Sequence, residues 1–244
     1  MNRTVLITGA SRGIGRATAL AFGREGYNMV LSYMQNAEAA KSLENELRDM
    51  HLSVVSAQAD VSDRMQVNKL FACARDAFGT IDVLVNNAGI AQQKLFSDLT
   101  DEDWDRMFGV NIKGMFYCAQ AALPQMISKK KGRIINVSSI WGIAGASCEV
   151  HYSASKAAVI GFTKALAKEV GLSGICVNCV APGVVKTDMT ACFDAQAMDD
   201  LAEETPLGRI GKPEEIAETI LFLADERSGF ITGQVISPNG GIVI

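Results

Sequence analysis

The feature that most constrains this chain is an alternation. Short apolar runs with almost no polar interruption stand at residues 4–7, 29–31, 54–57, 83–85, 134–137, 175–180 and 235–236. Between them lie helix-length segments, at residues 14–24, 37–50, 65–78, 104–127, 152–170 and 214–224, whose apolar residues recur every three or four positions. Runs without polar alternation suit strands covered on both faces, as in a parallel sheet. Strands that alternate with helices form βαβ crossovers, which put helices on both faces of an open sheet. The expected fold is α/β: one domain over residues 1–244, with a doubly wound, seven-stranded parallel sheet and no linker, repeat or low-complexity segment.

Punctuation agrees with these segments. Gly79 follows Phe78 as a helix stop, Thr100 opens a helix with three acids in its first turn, and Pro213 suits a first helical position. Residues 187–206 lack a strong period and are a candidate helical flap over a site.

Composition removes several classes of function. With 48% apolar and 20% charged residues, the chain can build a core and is not intrinsically disordered. Its 22 glycines and 5 prolines do not make a collagen-like or low-complexity chain. No apolar run approaches the roughly 18 residues of a membrane span. The apolar run near the N-terminus falls short of the about 7–15 residues of a secretory signal. A cytoplasmic protein with no membrane partner is expected. The net charge of −4 argues against a nucleic-acid partner. The 6 cysteines have no framework spacing and read as reduced thiols. Cys176 and Cys179 match C-x-x-C but fall on an apparent strand, where residues three apart point to opposite faces. No second pair completes a zinc site, so no metal is expected.

Directly after the first strand comes Thr8-Gly9-Ala10-Ser11-Arg12-Gly13-Ile14-Gly15, and then a helix. Glycines there let the backbone approach a pyrophosphate, and the helix N-terminus offers free N–H groups and a positive dipole end. The spacing is G-x-x-x-G-x-G rather than G-x-G-x-x-G. NAD enzymes usually carry an acid about 20 residues further on, for the ribose 2′-hydroxyl. Residues 32–36, Ser-Tyr-Met-Gln-Asn, supply none, whereas Arg12 in the glycine loop suits a 2′-phosphate. NADP(H) is the expected cofactor.

Tyr152 and Lys156 stand four apart, on one face of a helix. An ammonium beside a phenol stabilises the phenolate and makes it a better general acid/base. Ser138 and Ser139 end the strand at 134–137, and ligands of parallel α/β sheets bind at the carboxyl ends of strands. A serine hydroxyl there can hold a carbonyl next to the tyrosine. His151 abuts Tyr152, but neighbours i and i+1 do not face one another, so it reads as structural or solvated.

Together these residues resemble a short-chain dehydrogenase/reductase along essentially the whole chain. The matching residues include the turn at 8–15, Asp60-Val61, Asn86-Asn87-Ala88-Gly89, Asn111, Ser139, Tyr152, Lys156, Pro182-Gly183, Thr187 and Asn239-Gly240-Gly241. The resemblance implies a Rossmann fold and roles for each position. Tyr152 would protonate the carbonyl oxygen, Ser139 would polarise it, and Lys156 would hold the nicotinamide ribose and lower the tyrosine pKa. Asn111 would anchor a water that relays protons through Lys156. Gly9, Ser11, Arg12, Gly13, Ile14 and Gly15 would cradle the phosphates. Asp60 and Val61 would meet the adenine, and Asn87 the nicotinamide-side ribose. Pro182, Gly183 and Thr187 would line the carboxamide, with Ala88, Gly89 and Val185 as further cofactor contacts.

Within the family, length and motifs are most similar to bacterial 3-oxoacyl-[acyl-carrier-protein] reductases of fatty-acid synthesis. That implies a carrier-bound ketone substrate, acyl carrier protein as a candidate partner, and a homotetramer. The basic run at 129–133, Lys-Lys-Lys-Gly-Arg, stands where such reductases meet the acidic carrier. Ser173 occupies a second position that is basic in them. Other ketones, including a modified lysine on elongation factor P, and a catalytically silent NADP(H)-binding module are the alternatives.

Overall fold

The computed structural model describes residues 2–190 and 194–244. Its strands are β1 (Thr4–Ile7), β2 (Asn28–Tyr33), β3 (Val54–Gln58), β4 (Val83–Asn86), β5 (Gly132–Val137), β6 (Ile175–Val180) and β7 (Val235–Ile236). They form one seven-stranded sheet, all parallel, in the order β3-β2-β1-β4-β5-β6-β7. The order reverses between β1 and β4, which opens a crevice at their carboxyl ends.

The helices are α1 (Gly13–Arg24), α2 (Ala37–Asp49), α3 (Arg64–Phe78), α4 (Asp101–Phe108), α5 (Met115–Lys129), α6 (Trp141–Ala144), α7 (Val150–Val170), α8 (Ala195–Glu204) and α9 (Pro213–Ala224). They cover both faces of the sheet. Phe22, Leu43, Leu47 and Ile220 pack with Ile7 and Leu31 on one face. Leu70, Phe71, Ala122 and Met126 pack with Leu6 and Leu84 on the other. Adjacent residues Leu6 and Ile7 thus serve opposite faces, as strand pleating requires. Burying each such side chain contributes about 1.5–3 kcal/mol.

The segment at 104–127 differs from the single helix its periodicity predicts. A π-helical stretch, Gly109–Gly114, separates α4 from α5. A Cβ on Gly114 would stand 2.7 Å from Val61 Cγ2, so this turn packs its bare backbone on Val61. Wide turns of this kind often occur at functional sites. Within the expected flap at 187–206, α8 is helical; residues 191–193 of that expectation lie outside the described residues. No helix among the described residues is long and apolar enough to cross a membrane.

Part of the basic run at 129–133 is paired within the chain. The run joins the end of α5 to the start of β5, at the edge of the sheet opposite the carboxyl ends. Lys129 Nζ donates to Thr80 Oγ1 at 2.6 Å and pairs with Asp82, and Lys131 pairs with Glu226. Arg133 is buried. A six-residue strand spans about 20 Å, which separates this run from the crevice of its own chain.

Candidate active site

The carboxyl ends of the strands open onto a cleft of about 1690 Å³. The loop from β1 to α1 forms one end of it. Gly9 and Gly13 have positive φ, 64° and 53°, and a Cβ on Gly15 would collide with the Gly9 carbonyl oxygen. Side chains are therefore excluded where a phosphate has to approach the N-terminus of α1. The loop after β4 braces this turn. Asn87 Nδ2 donates to the Thr8 and Gly9 carbonyls, and Thr8 Oγ1 accepts from the N–H groups of Asn87 and Ala88. The Asn87 amide is thus occupied in holding the glycine turn, a use its sequence position does not reveal. The shape and donor set fit a dinucleotide.

Of the sequence-predicted site residues, Gly9, Ser11, Arg12, Gly13, Ile14, Gly15, Asp60, Val61, Asn87, Ala88, Gly89, Ser139, Tyr152, Lys156, Pro182, Gly183, Val185 and Thr187 all line this one cleft. Thr187 reaches over the glycine turn, with Cγ2 3.4 Å from the Cβ position of Gly13. Arg12 stands at the cleft mouth with its side chain 64% exposed and its guanidinium 3.5 Å from Asp188. Glu38, in the first turn of α2, also lines this end. It lies two residues beyond the acid-free stretch at 32–36.

The reacting end is built from β5, α6 and α7. Ser138 and Ser139 follow β5 but have different tasks. Ser138 Oγ donates to the Lys156 carbonyl at 2.7 Å and ties the strand end to α7. Ser139 Oγ accepts from the Trp141 N–H at 3.2 Å, and its hydroxyl bonds the Tyr152 phenol. Gly142 makes this join possible, because a Cβ there would stand 2.6 Å from the Lys156 carbonyl carbon. Neither Gly142 nor α6 follows from the periodicity.

Tyr152 and Lys156 are both buried on α7, 7% and 5% exposed. Burial pushes the phenol up to about 12, against the Ser139 hydrogen bond, which lowers it. Burial pushes the Lys156 ammonium down to about 8. Lys156 Nζ donates to the Val137 carbonyl at 3.0 Å. Asn111, from the π-helical stretch, does not line the cleft. It sits behind the wall, where its Nδ2 donates to the Ile90 carbonyl and Ser155 Oγ and its Oδ1 accepts from the Ile90 N–H. A cavity of about 10 Å³ adjoins it, close to the smallest volume that holds a water. Gly89 joins the two groups: its Cβ position is 3.2 Å from both Asn111 Oδ1 and Lys156 Nζ.

His151 is fully buried, with Nε2 3.0 Å from Gln92 Oε1, and desolvation lowers its pKa. It is structural rather than solvated. Cys179 is buried near Lys156, and desolvation raises its thiol to about 11. Glu149, which the sequence reading passed over, also lines the cleft.

The family model described as enoyl-(acyl carrier protein) reductase, adh_short_C2, matches residues 9–243. The 3-oxoacyl-[acyl-carrier-protein] reductase FabG of Staphylococcus aureus is 40% identical over 242 residues, covering 99% of this chain and 98% of the relative. The enzyme of the same name from Thermotoga maritima is 44% identical over 242 residues, with 99% and 98% covered. A crystal structure from Brucella melitensis, described as a short-chain dehydrogenase/reductase, glucose/ribitol dehydrogenase, superposes with a TM-score of 0.92 at 37% identity. It covers 100% of this chain and 97% of the other. A glycine-braced dinucleotide cleft, the Ser139, Tyr152 and Lys156 grouping, and relatives that match almost end to end have one meaning: this chain is an oxidoreductase that uses a nicotinamide cofactor and belongs to the short-chain dehydrogenase/reductase family.

Proposed function

We propose that this protein uses NADPH to reduce a ketone to a secondary alcohol, and that its substrate is a 3-oxoacyl group carried by acyl carrier protein. The observation that carries the reading is the convergence of Ser139, Tyr152 and Lys156 at the reacting end of the cleft. The names of relatives at 40–44% identity support the substrate. Arg12 at the cleft mouth, and the lack of an acid at the end of β2, support NADP(H) over NAD(H).

Bound in the cleft, a reduced nicotinamide supplies the hydride that the carbonyl carbon receives. The chain's own residues handle the oxygen. Ser139 Oγ donates a hydrogen bond to the carbonyl and holds it beside the Tyr152 phenol. The buried phenol keeps its proton at neutral pH, the form a donor needs. As charge develops on the oxygen, Tyr152 transfers that proton, and the Lys156 ammonium and the Ser139 hydroxyl stabilise the phenolate left behind. Asn111 fixes Ile90 and Ser155 around Lys156 and is a positioning residue on this geometry.

On this reading the basic run at 129–133, which leads into β5, steers the acidic carrier to the enzyme. The test compares NADPH consumption with 3-oxoacyl groups on the carrier and on a small thiol. Preference for the carrier-bound form supports the reading; equal efficiency assigns the enzyme to a free ketone.

A further inference from the structure

We propose that His151 is a positioning residue for the reduction: by holding Gln92, it ties one wall of the cleft to the turn of α7 that carries Tyr152. The inference rests on the reductase reading and adds to it a residue that touches neither ketone nor cofactor. Gln92 belongs to the stretch after β4 and lines the cleft together with Ser139 and Tyr152. That stretch has no regular secondary structure, so its contacts with neighbouring elements fix it. Asn111 holds Ile90 at one end, and the Lys94 N–H donates to the Cys148 carbonyl at 2.8 Å at the other. Between them, Gln92 is held through its side chain. Its Oε1 stands 3.0 Å from His151 Nε2, and its Nε2 donates to Asp103 Oδ1 at 2.9 Å. Asp103, on α4, also accepts from Lys94 Nζ at 2.6 Å.

This chain of bonds has one direction. Hydrogen bonds from Lys94 and Gln92 hold the Asp103 carboxyl well below the usual range, so it is a carboxylate and only accepts. It therefore orients the Gln92 amide, with the NH2 toward α4 and the oxygen toward α7. His151 must then donate through Nε2, which leaves Nδ1 as a bare acceptor. Nδ1 has no hydrogen-bond partner among the described residues, although the imidazole is fully buried. Burial pushes the imidazole pKa down, so the ring stays neutral at neutral pH. A buried ring with one unpaired nitrogen carries a cost that a leucine in the same space would not. Packing alone does not account for the imidazole; its paired nitrogen does, and that bond ends on the cleft wall. His151 and Tyr152 are neighbours in the first turn of α7, so a shift of Gln92 against α7 is a shift against the proton donor. Misplacing a bound ketone by about 1 Å can cost about a hundredfold in rate.

The test uses the purified enzyme, NADPH and a 3-oxoacyl thioester. His151→Leu is expected to lower kcat by about tenfold or more, with the Kd for NADPH unchanged. His151→Gln is expected to restore most of that loss, because its amide carries an N–H at nearly the reach of Nε2. Gln92→Leu, outside the buried core, is expected to lose as much as His151→Leu, and the double variant no more than either. Wild-type kcat in His151→Leu, a His151→Gln variant as slow as His151→Leu, or losses that multiply in the double variant would overturn the inference and leave the reductase reading in place. Should His151→Leu not fold, Gln92→Leu decides, and wild-type kcat in that variant overturns the inference. A wild-type enzyme that consumes no NADPH with the thioester or with a free ketone overturns both.

Discussion

The Lys156 ammonium lies 5.7 Å from the centre of the Tyr152 ring, and both groups are buried on consecutive turns of α7. At that separation the ammonium charge can stabilise a phenolate. Burial makes this arrangement expensive for the folded protein, because the ammonium has lost its water. Its cost and its proposed catalytic use have the same origin.

That cost is measurable. The Lys156 pKa falls from 10.5 to about 8, so between those values the unfolded chain holds a proton that the folded chain has released. Stability therefore gains from Lys156 as pH rises across that window and is penalised below it. Lys156→Met removes the buried charge at similar volume and gives up one hydrogen bond to Val137. We predict a variant that is inactive and about 1–3 kcal/mol more stable at pH 7. Chemical denaturation at pH 7 and pH 10 checks this, with the advantage expected to shrink at the higher pH.

Cofactor choice is expected to follow from Arg12. A charge-assisted contact to a 2′-phosphate is worth about ten- to a hundredfold in efficiency, so NADPH should exceed NADH by that factor. Arg12→Ala should erase most of the preference. Initial rates with both cofactors decide it, and equal efficiency in the wild type would refute it.

Assembly is expected to be tetrameric. Phe116 on α5 is 38% exposed, and Leu172 and Phe230 are fully exposed apolar side chains. Closed two-fold symmetry is the common way to cover such surface. Light scattering should give four times the chain mass; a stable monomer at micromolar concentration would contradict it. In the tetramer, Lys130→Glu should raise KM for carrier-bound substrate severalfold relative to a small thioester. High salt should abolish the difference.

Much of this was legible in the residues because the signals were local. Residues 4–7, 175–180 and 235–236 are strands with the expected bounds, since buried parallel strands need continuous apolar runs. Thr100 closes a capping box with Asp103, and Gly79 takes a φ of 77° at the helix stop. What local pattern missed depends on tertiary contact. The π-helical stretch answers to Val61, far away in sequence, and α6 is too short for a period. Asn87 lines the cleft, and its amide also braces the glycine turn across a long sequence separation.

The central claim is that Tyr152 protonates the carbonyl oxygen, and Tyr152→Phe tests it most directly. The change deletes one hydroxyl at nearly constant volume, while general acid catalysis is worth about 10²–10⁴-fold. Turnover of a 3-oxoacyl thioester should fall by at least that factor, with NADPH affinity, read by binding fluorescence, nearly unchanged. Wild-type turnover in the variant would contradict the account.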